Sequence, residues 1–159
     1  MQVLNRDDAV VMAMAKPSST QMNFGIHAPT AAGDYGLWRE GGMDWLSVAV
    51  VDDVMVEKKK RGQAATPVEI TLQRLMPADA LQIRGRHNAM NALAALALCR
   101  AIDLPLAKLL HGLRDYAGEP HRVQWIANIN GVAFYDDSKG TNVGASLAAI
   151  EGLGQKIVL

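Results

Sequence analysis

Cysteine occurs once in the 159 residues, as Cys99. No internal disulfide and no cysteine-based metal site can form, and a small apolar role in an Ala/Leu-rich run is the plain reading of that residue. Net charge is also lacking, because 16 Lys and Arg stand against 16 Asp and Glu. That balance excludes nucleic-acid or membrane binding by bulk electrostatics and leaves room for a local anion site. No apolar run approaches the ~20 residues of a membrane span. Met1 to Asp8 has no basic stretch leading into an apolar one, so no signal peptide is visible and the cytoplasm is the default location. Two common nucleotide signatures are absent too: the chain has neither G-x-x-x-x-G-K-[ST] nor G-x-G-x-x-G. No dense His/Asp/Glu cluster resembles a complete metal site.

What the chain does have is apolar bulk. Half of it is hydrophobic, which suffices for a packed core and argues against disorder. Its length fits one domain or pieces of two. Met1 to Leu4 reads as the end of a short strand, with no partner evident in the sequence, which implies that something upstream is missing. Asp7 or Asp8 is placed to cap a helix over about Ala9 to Ala15, ended by Lys16-Pro17. Thr20 to Val56 is β-rich, with runs at Gln21–Phe24, Tyr35–Arg39, Met43–Val48, Val48–Val51 and Val54–Val56. Glu40-Gly41-Gly42 is a hairpin turn between two of them. Successive hairpins predict an antiparallel subsheet. The Glu57–Gly62 charge run reads as a solvated loop, since no aromatic residues interleave it. Val68–Leu72 is a further strand, and Leu75–Ile83 is irregular around Pro77.

A helix is predicted over about Asn88–Ile102, apolar almost all round between Ala92 and Cys99 and so buried on more than one side. Pro105 suits the first turn of a second helix, whose Leu106, Leu109, Leu110 and Leu113 form one apolar face. That helix ends near Tyr116–Gly118. The character changes at Glu119–Arg122. Alternating Val123, Trp125, Ala127 and Ile129, the Asn130-Gly131 turn and Val132–Tyr135 predict a hairpin. A polar loop, a helix over about Val143–Ile150, a Gly152/Gly154 turn and a strand at Lys156–Leu159 complete the reading. The overall class is α/β, with a domain boundary between residues 119 and 120. The last strand is expected to leave an unpaired edge and to make the chain aggregation-prone; a sharp, reversible, monomeric unfolding transition would count against that.

Three polar groups carry chemistry. Asn88 and Asn91, three residues apart, share one face of a helix's first turn. Side-chain amides of this kind match the N6/N7 edge of adenine, although Asn88 also reads as a plain N-cap. His87 beside them reads as a loop or hydrogen-bonded structural histidine. His121-Arg122 lies at the junction, where Arg offers a fixed fork of donors for phosphate or carboxylate; a surface salt bridge is the alternative. Asp136-Asp137-Ser138-Lys139-Gly140-Thr141-Asn142 gathers carboxylates, an ammonium, hydroxyls and an amide. Its carboxylates suit ribose hydroxyls or a water-bound metal. Lys139 suits a phosphoryl oxygen and Thr141 a substrate carboxylate. Ser138 has no adjacent base to make it a nucleophile, and Thr141 or Asn142 is also placed to cap the helix.

Gly85–Ala95, Gly118–Arg122 and Asp136–Asn142 resemble, in order, three sequence blocks of the Mur ligases. Val3–Asp8 is similar to a strand end of that family's central domain. The resemblance is specific from Gly85 to Leu159 and weak from Thr20 to Ile83. It implies a partial central ATPase domain over residues 1–119, an antiparallel subsheet with helices, and over residues 120–159 the truncated start of a Rossmann-like C-terminal domain. It implies ATP and Mg2+ as cofactors, with the phosphate loop and metal ligands belonging to sequence upstream. The Asp-Ser-Lys-x-Thr-Asn form is most like the member that joins D-glutamate to UDP-N-acetylmuramoyl-L-alanine through an acyl phosphate. By the same resemblance Asn88 and Asn91 contact adenine, while Arg122 and Asp137 bind the ribose and phosphate region. Lys139 and His121 take catalytic positions, and Lys139 and Thr141 face D-glutamate. The whole enzyme is expected to be monomeric, with no nucleic-acid or membrane partner, and this chain alone to be inactive. A non-catalytic nucleotide-binding module, or a related Mur or folylpolyglutamate ligase with another amino acid, is the alternative.

Overall fold

A computed structural model of the chain describes residues 1–52 and 69–159. Strand β1 (Gln2–Asn5) runs into a turn where Asp8 accepts hydrogen bonds from the Val10 and Val11 amides, starting the one-turn helix α1 (Ala9–Met12). An N-cap carboxylate satisfies amides that the first turn leaves unpaired. Strands β2 (Gln21–Gly25), β3 (Tyr35–Glu40), β4 (Met43–Val51) and β5 (Ile70–Pro77) join β1 in one five-stranded sheet ordered β1-β2-β3-β4-β5. A 3-10 turn (Ala78–Ala80) leads from β5 towards helices α2 (Arg86–Arg100) and α3 (Leu106–Asp115). Strands β6 (Gln124–Ile129) and β7 (Val132–Asp136) make a separate two-stranded sheet, followed by helix α4 (Val143–Leu153).

The sheet is mixed rather than wholly antiparallel. β1 pairs in parallel with β2, and β2 pairs in parallel with β3 through only Phe24–Tyr35 and Gly25–Gly36. β3–β4 and β4–β5 are antiparallel. β1 therefore has a partner after all, one that follows it in the chain. The turn after β1 holds this parallel part together. Arg6 donates to the Tyr35 carbonyl at 2.6 Å and also to the His27 carbonyl, and Asp7 accepts from the Ile26 amide at 2.6 Å. Gly36 is required there, because a Cβ would overlap the His27 carbonyl and the Arg6 guanidinium.

The core lies between one sheet face and α2. Tyr35 and Leu37 of β3 pair with Val48 and Leu46 of β4 and meet Met76 of β5 and Leu81. Ala89, Ala92, Leu93, Leu96 and Ala97 cover them. Leu106, Leu109, Leu110 and Leu113 of α3 are partly buried against the same cluster, as their spacing predicts. α2 is buried along one broad face only, for Leu98 is 56% exposed.

Several boundaries differ from the sequence reading. α2 begins at Arg86, so Asn88 lies inside its first turn. β5 continues to Pro77, which is tolerated because it closes the strand, opposite Trp45. Gly152 is inside α4, and only Gly154, in the left-handed region at φ 61°, forms the turn after it. Residues 156–159 form no strand, with Val158 and Leu159 almost fully exposed; no described strand pairs with them, and a strand is made by its ladder. The strand expected at Val54–Val56, the Glu57–Gly62 charge run and the start of the Val68–Leu72 strand lie outside the described residues. The Gly41-Gly42 and Asn130-Gly131 turns form as expected, all four residues having positive φ.

Leu93 is fully buried between sheet and helix. Leu93→Ala is expected to lower the unfolding free energy by about 2–5 kcal/mol, the usual cost of such a cavity, measured by denaturant titration followed by circular dichroism.

Candidate functional site

Gly85 occupies the N-cap position of α2 at φ 99° and makes no side-chain cap. Asn88 does not cap the helix either. Its Nδ2 donates to the Arg84 carbonyl at 2.7 Å, and its Oδ1 accepts from Asn91 Nδ2 at 3.3 Å. The two amides thus share one face, as their spacing predicts, and are linked. The linkage orients Asn91, whose side-chain oxygen has no partner among the described residues.

Asn88 and Arg122 line one cleft of about 790 Å³ with Arg84, Gln124, Trp125, Tyr135 and Gln155. Asp137 lines an adjoining cavity of about 580 Å³ with Phe134, Ser146 and Ile150; Val123, Ala133, Tyr135, Leu153 and Gln155 belong to both. Thr141 lines an open groove of about 500 Å³ beside Asn142 and Val143, which shares Ser146 and Ile150 with the Asp137 cavity. Asn91, His121 and Lys139 line none of the three. The fold therefore brings Asn88 and Arg122 together and sets Asp137 next door. Lys139, Thr141 and His121 stand outside that cleft.

The polar loop is tied to the junction. His121 Nδ1 donates to Asp136 Oδ2 at 2.7 Å, the Lys139 amide donates to the His121 carbonyl at 3.1 Å, and the Val123 amide donates to Asp137 Oδ1 at 3.0 Å. These bonds hold His121 at φ 67° and Val123 at φ 47°, the latter a costly conformation for a β-branched residue. Asp137 thus has a structural task as well as its expected ribose contact. Asn142, not Thr141, caps α4, accepting from the Ala145 amide at 2.9 Å. Lys139 is exposed and has no ion-pair partner among the described residues.

Electrostatics follow from this geometry. The His121 hydrogen bond, with the Ser138 amide and hydroxyl behind it, holds the Asp136 carboxyl down at about 2. Burial pushes the His87 imidazole below its ordinary value against the opposing Asp137 charge. His87 lies inside α2 rather than in a loop, and its Nδ1 is buried without the hydrogen-bond partner expected of it among the described residues.

Trp125 and Tyr135 escaped the sequence reading as cleft residues. A two-residue Asn130-Gly131 turn without irregularity would set Trp125 opposite Asp136. The register shifts between Trp125 and Ala127, and Trp125 comes to lie opposite Tyr135. The alternation of the strand signals a sided hairpin, but nothing in it marks a bulge at Ile126.

One amide, Asn88, and the Arg122 guanidinium share a cleft at the start of α2, with Asn91 linked to Asn88 from outside it; such groups are chemically suited to an anion. No family model matches the chain. Individual proteins do. The chain is 56% identical to a UDP-N-acetylmuramoylalanine–D-glutamate ligase of Burkholderia thailandensis, 54% to that of Cupriavidus pinatubonensis and 55% to that of Cupriavidus metallidurans. Each match covers the whole chain and 33–34% of the relative, so the chain spans about a third of the length of these curated proteins. It is a homologue, end to end, of one segment of these ligases.

Asp136 has a folded value of about 2 against an ordinary 3.8. Its pairing therefore contributes stability that is present above pH 3.8 and is lost as pH falls through about 2. His87 acts at higher pH: because burial lowers its folded value, stability is undiminished above the ordinary histidine value of 6.5 and declines as pH falls below it. His121→Ala is expected to return Asp136 towards 3.8, followed by carboxyl carbon NMR; an unmoved Asp136 would rule out His121 as the main cause.

Proposed function

We propose that this chain is a segment of a cytoplasmic, ATP-dependent amide ligase that joins D-glutamate to UDP-N-acetylmuramoyl-L-alanine in peptidoglycan synthesis. The observation that carries the reading is the convergence of Asn88 and Arg122 on one cleft, in a chain homologous throughout to such ligases. Residues 1–119 are read as the C-terminal part of the central ATPase domain and residues 120–159 as the N-terminal part of the C-terminal domain. The placement of the five-stranded sheet wholly before residue 119, and of the hairpin and α4 wholly after residue 120, supports that division. The whole enzyme is proposed to act as a monomer, with no nucleic-acid or membrane partner. No described helix is long and apolar enough to cross a membrane.

ATP supplies the phosphoryl group that activates the muramoyl-alanine carboxylate. In this chain the amides of Asn91 and Asn88 are suited to reading the base. Arg122 is suited to the ribose and phosphate region, where its charge stabilises the anion. Asp137 keeps Oδ2 free of any hydrogen bond to Val123, whose amide takes Oδ1, and so retains an acceptor for a ribose hydroxyl. Exposed Lys139 and Thr141 are assigned to the D-glutamate side, with His121 fixed beside them by Asp136. The donor set does not fit Mg2+: among the described residues no three His, Cys, Asp or Glu side chains cluster.

The 159-residue chain is expected to bind ADP and not to ligate, since positioning of the phosphoryl group by a G-x-x-x-x-G-K-[ST] loop has no counterpart in its sequence. Calorimetry with ADP tests the first part. Arg122→Ala should weaken binding about tenfold to a hundredfold, the loss of a charge-assisted contact of ~1.5–3 kcal/mol. Quenching of Trp125 fluorescence, lost in Trp125→Phe, should accompany binding. Absence of ADP binding would remove the nucleotide reading, and ADP-forming ligation by the purified chain would refute its inactivity.

A further inference from the structure

Helix α4 meets helix α2 at a notch made of glycine. Gly152, in the last turn of α4, faces the His87 ring so closely that a Cβ there would overlap Nδ1 and Cε1. Gly85, at the start of α2, faces the same ring and the Gly152 carbonyl, which would be 3.0 Å from a Cβ at Gly85. His87 Nδ1 is buried in this notch without a hydrogen bond among the described residues. The carbonyl end of α4 is thereby brought against the amide end of α2, an electrostatically favourable head-to-tail meeting. Asn88 is the next residue along α2, and the polar loop ends where α4 begins.

We propose that His87 and Gly152 form a positioning latch: the imidazole, seated in the space left by the missing side chain, fixes how closely α4 approaches α2 and so sets Asn88 relative to Arg122 and the 136–142 loop. Three observations carry it independently of any ligand. The first is the steric fit at Gly152. The second is that Gly152 stands inside a helix, where alanine is ordinarily preferred. The third is the buried Nδ1, which packs against the glycine notch with no hydrogen-bond partner among the described residues. The functional consequence rests on the nucleotide reading of the cleft; the latch does not.

The test is a double-mutant cycle on the whole chain with Gly152→Ala, His87→Ala and the pair. Amide hydrogen exchange across residues 143–153 reads the docking of α4, and ADP titration reads its consequence. Gly152→Ala alone is expected to speed exchange in α4 at least tenfold. In the His87→Ala background the same change should slow exchange or leave it alone, because the clash is gone and helix propensity then favours alanine. In the parent chain a nuclear Overhauser contact between His87 Hε1 and Gly152 Hα is expected. Slower exchange in Gly152→Ala with His87 intact, or absence of the Overhauser contact, would overturn the latch. If the parent binds ADP, Gly152→Ala should weaken binding at least tenfold and the double variant should recover it; unchanged ADP binding in Gly152→Ala would overturn the positioning role. If the parent binds no ADP, the nucleotide reading fails while the exchange cycle still decides the latch.

Discussion

Burial of Leu93 and Leu96 of α2 against Leu46 and Met76 of the sheet is the contact on which the remaining geometry depends. A helix held along one broad apolar face cannot slide or roll without opening voids. Its first turn is therefore fixed with respect to the sheet, and with it the linked amides of Asn88 and Asn91. The hairpin supplies one wall of the cleft, and α4 closes on the helix start through two glycines and an imidazole.

The second half of the chain is organised differently. Its large apolar side chains cover little core: Trp125, Ile129, Val132 and Phe134 are about half exposed or more. Backbone and polar contacts carry the order instead. The junction residues His121 and Val123 sit at positive φ because three bonds from the loop hold them there. The polar loop that stands out in the sequence is thus a clamp on the chain's own backbone as much as a surface for ligands. Asp137 serves in both descriptions, one oxygen spent on the Val123 amide and the other left over.

Local chemistry was legible in the sequence, and non-local pairing was not. Asp8, Asn142, the Gly41-Gly42 and Asn130-Gly131 turns and the leucine face of α3 declare themselves within a few residues. Parallel pairing of β1 with β2 and β3 does not, since the hydrophobic pattern of a short strand is the same whichever way its neighbour runs. The bulge that swings Trp125 towards Tyr135 has no composition signal either. For the site, the i, i+3 spacing gave the amide pair and the junction gave Arg122. The sequence grouped Lys139, Thr141 and His121 with them; in the fold these three, like Asn91, do not line the cleft shared by Asn88 and Arg122.

Arg6 bridges two carbonyls across a space that exists only because position 36 is glycine. The two positions are locked in size as well as charge. A bulkier residue at 36 would displace the guanidinium, and a shorter one at 6 would leave the Tyr35 and His27 carbonyls without that donor. Among relatives, these two positions are expected to change together or not at all, although 30 residues of chain separate them. The parallel seam of the sheet thereby carries a correlated pair that neither β-propensity nor hydropathy would single out.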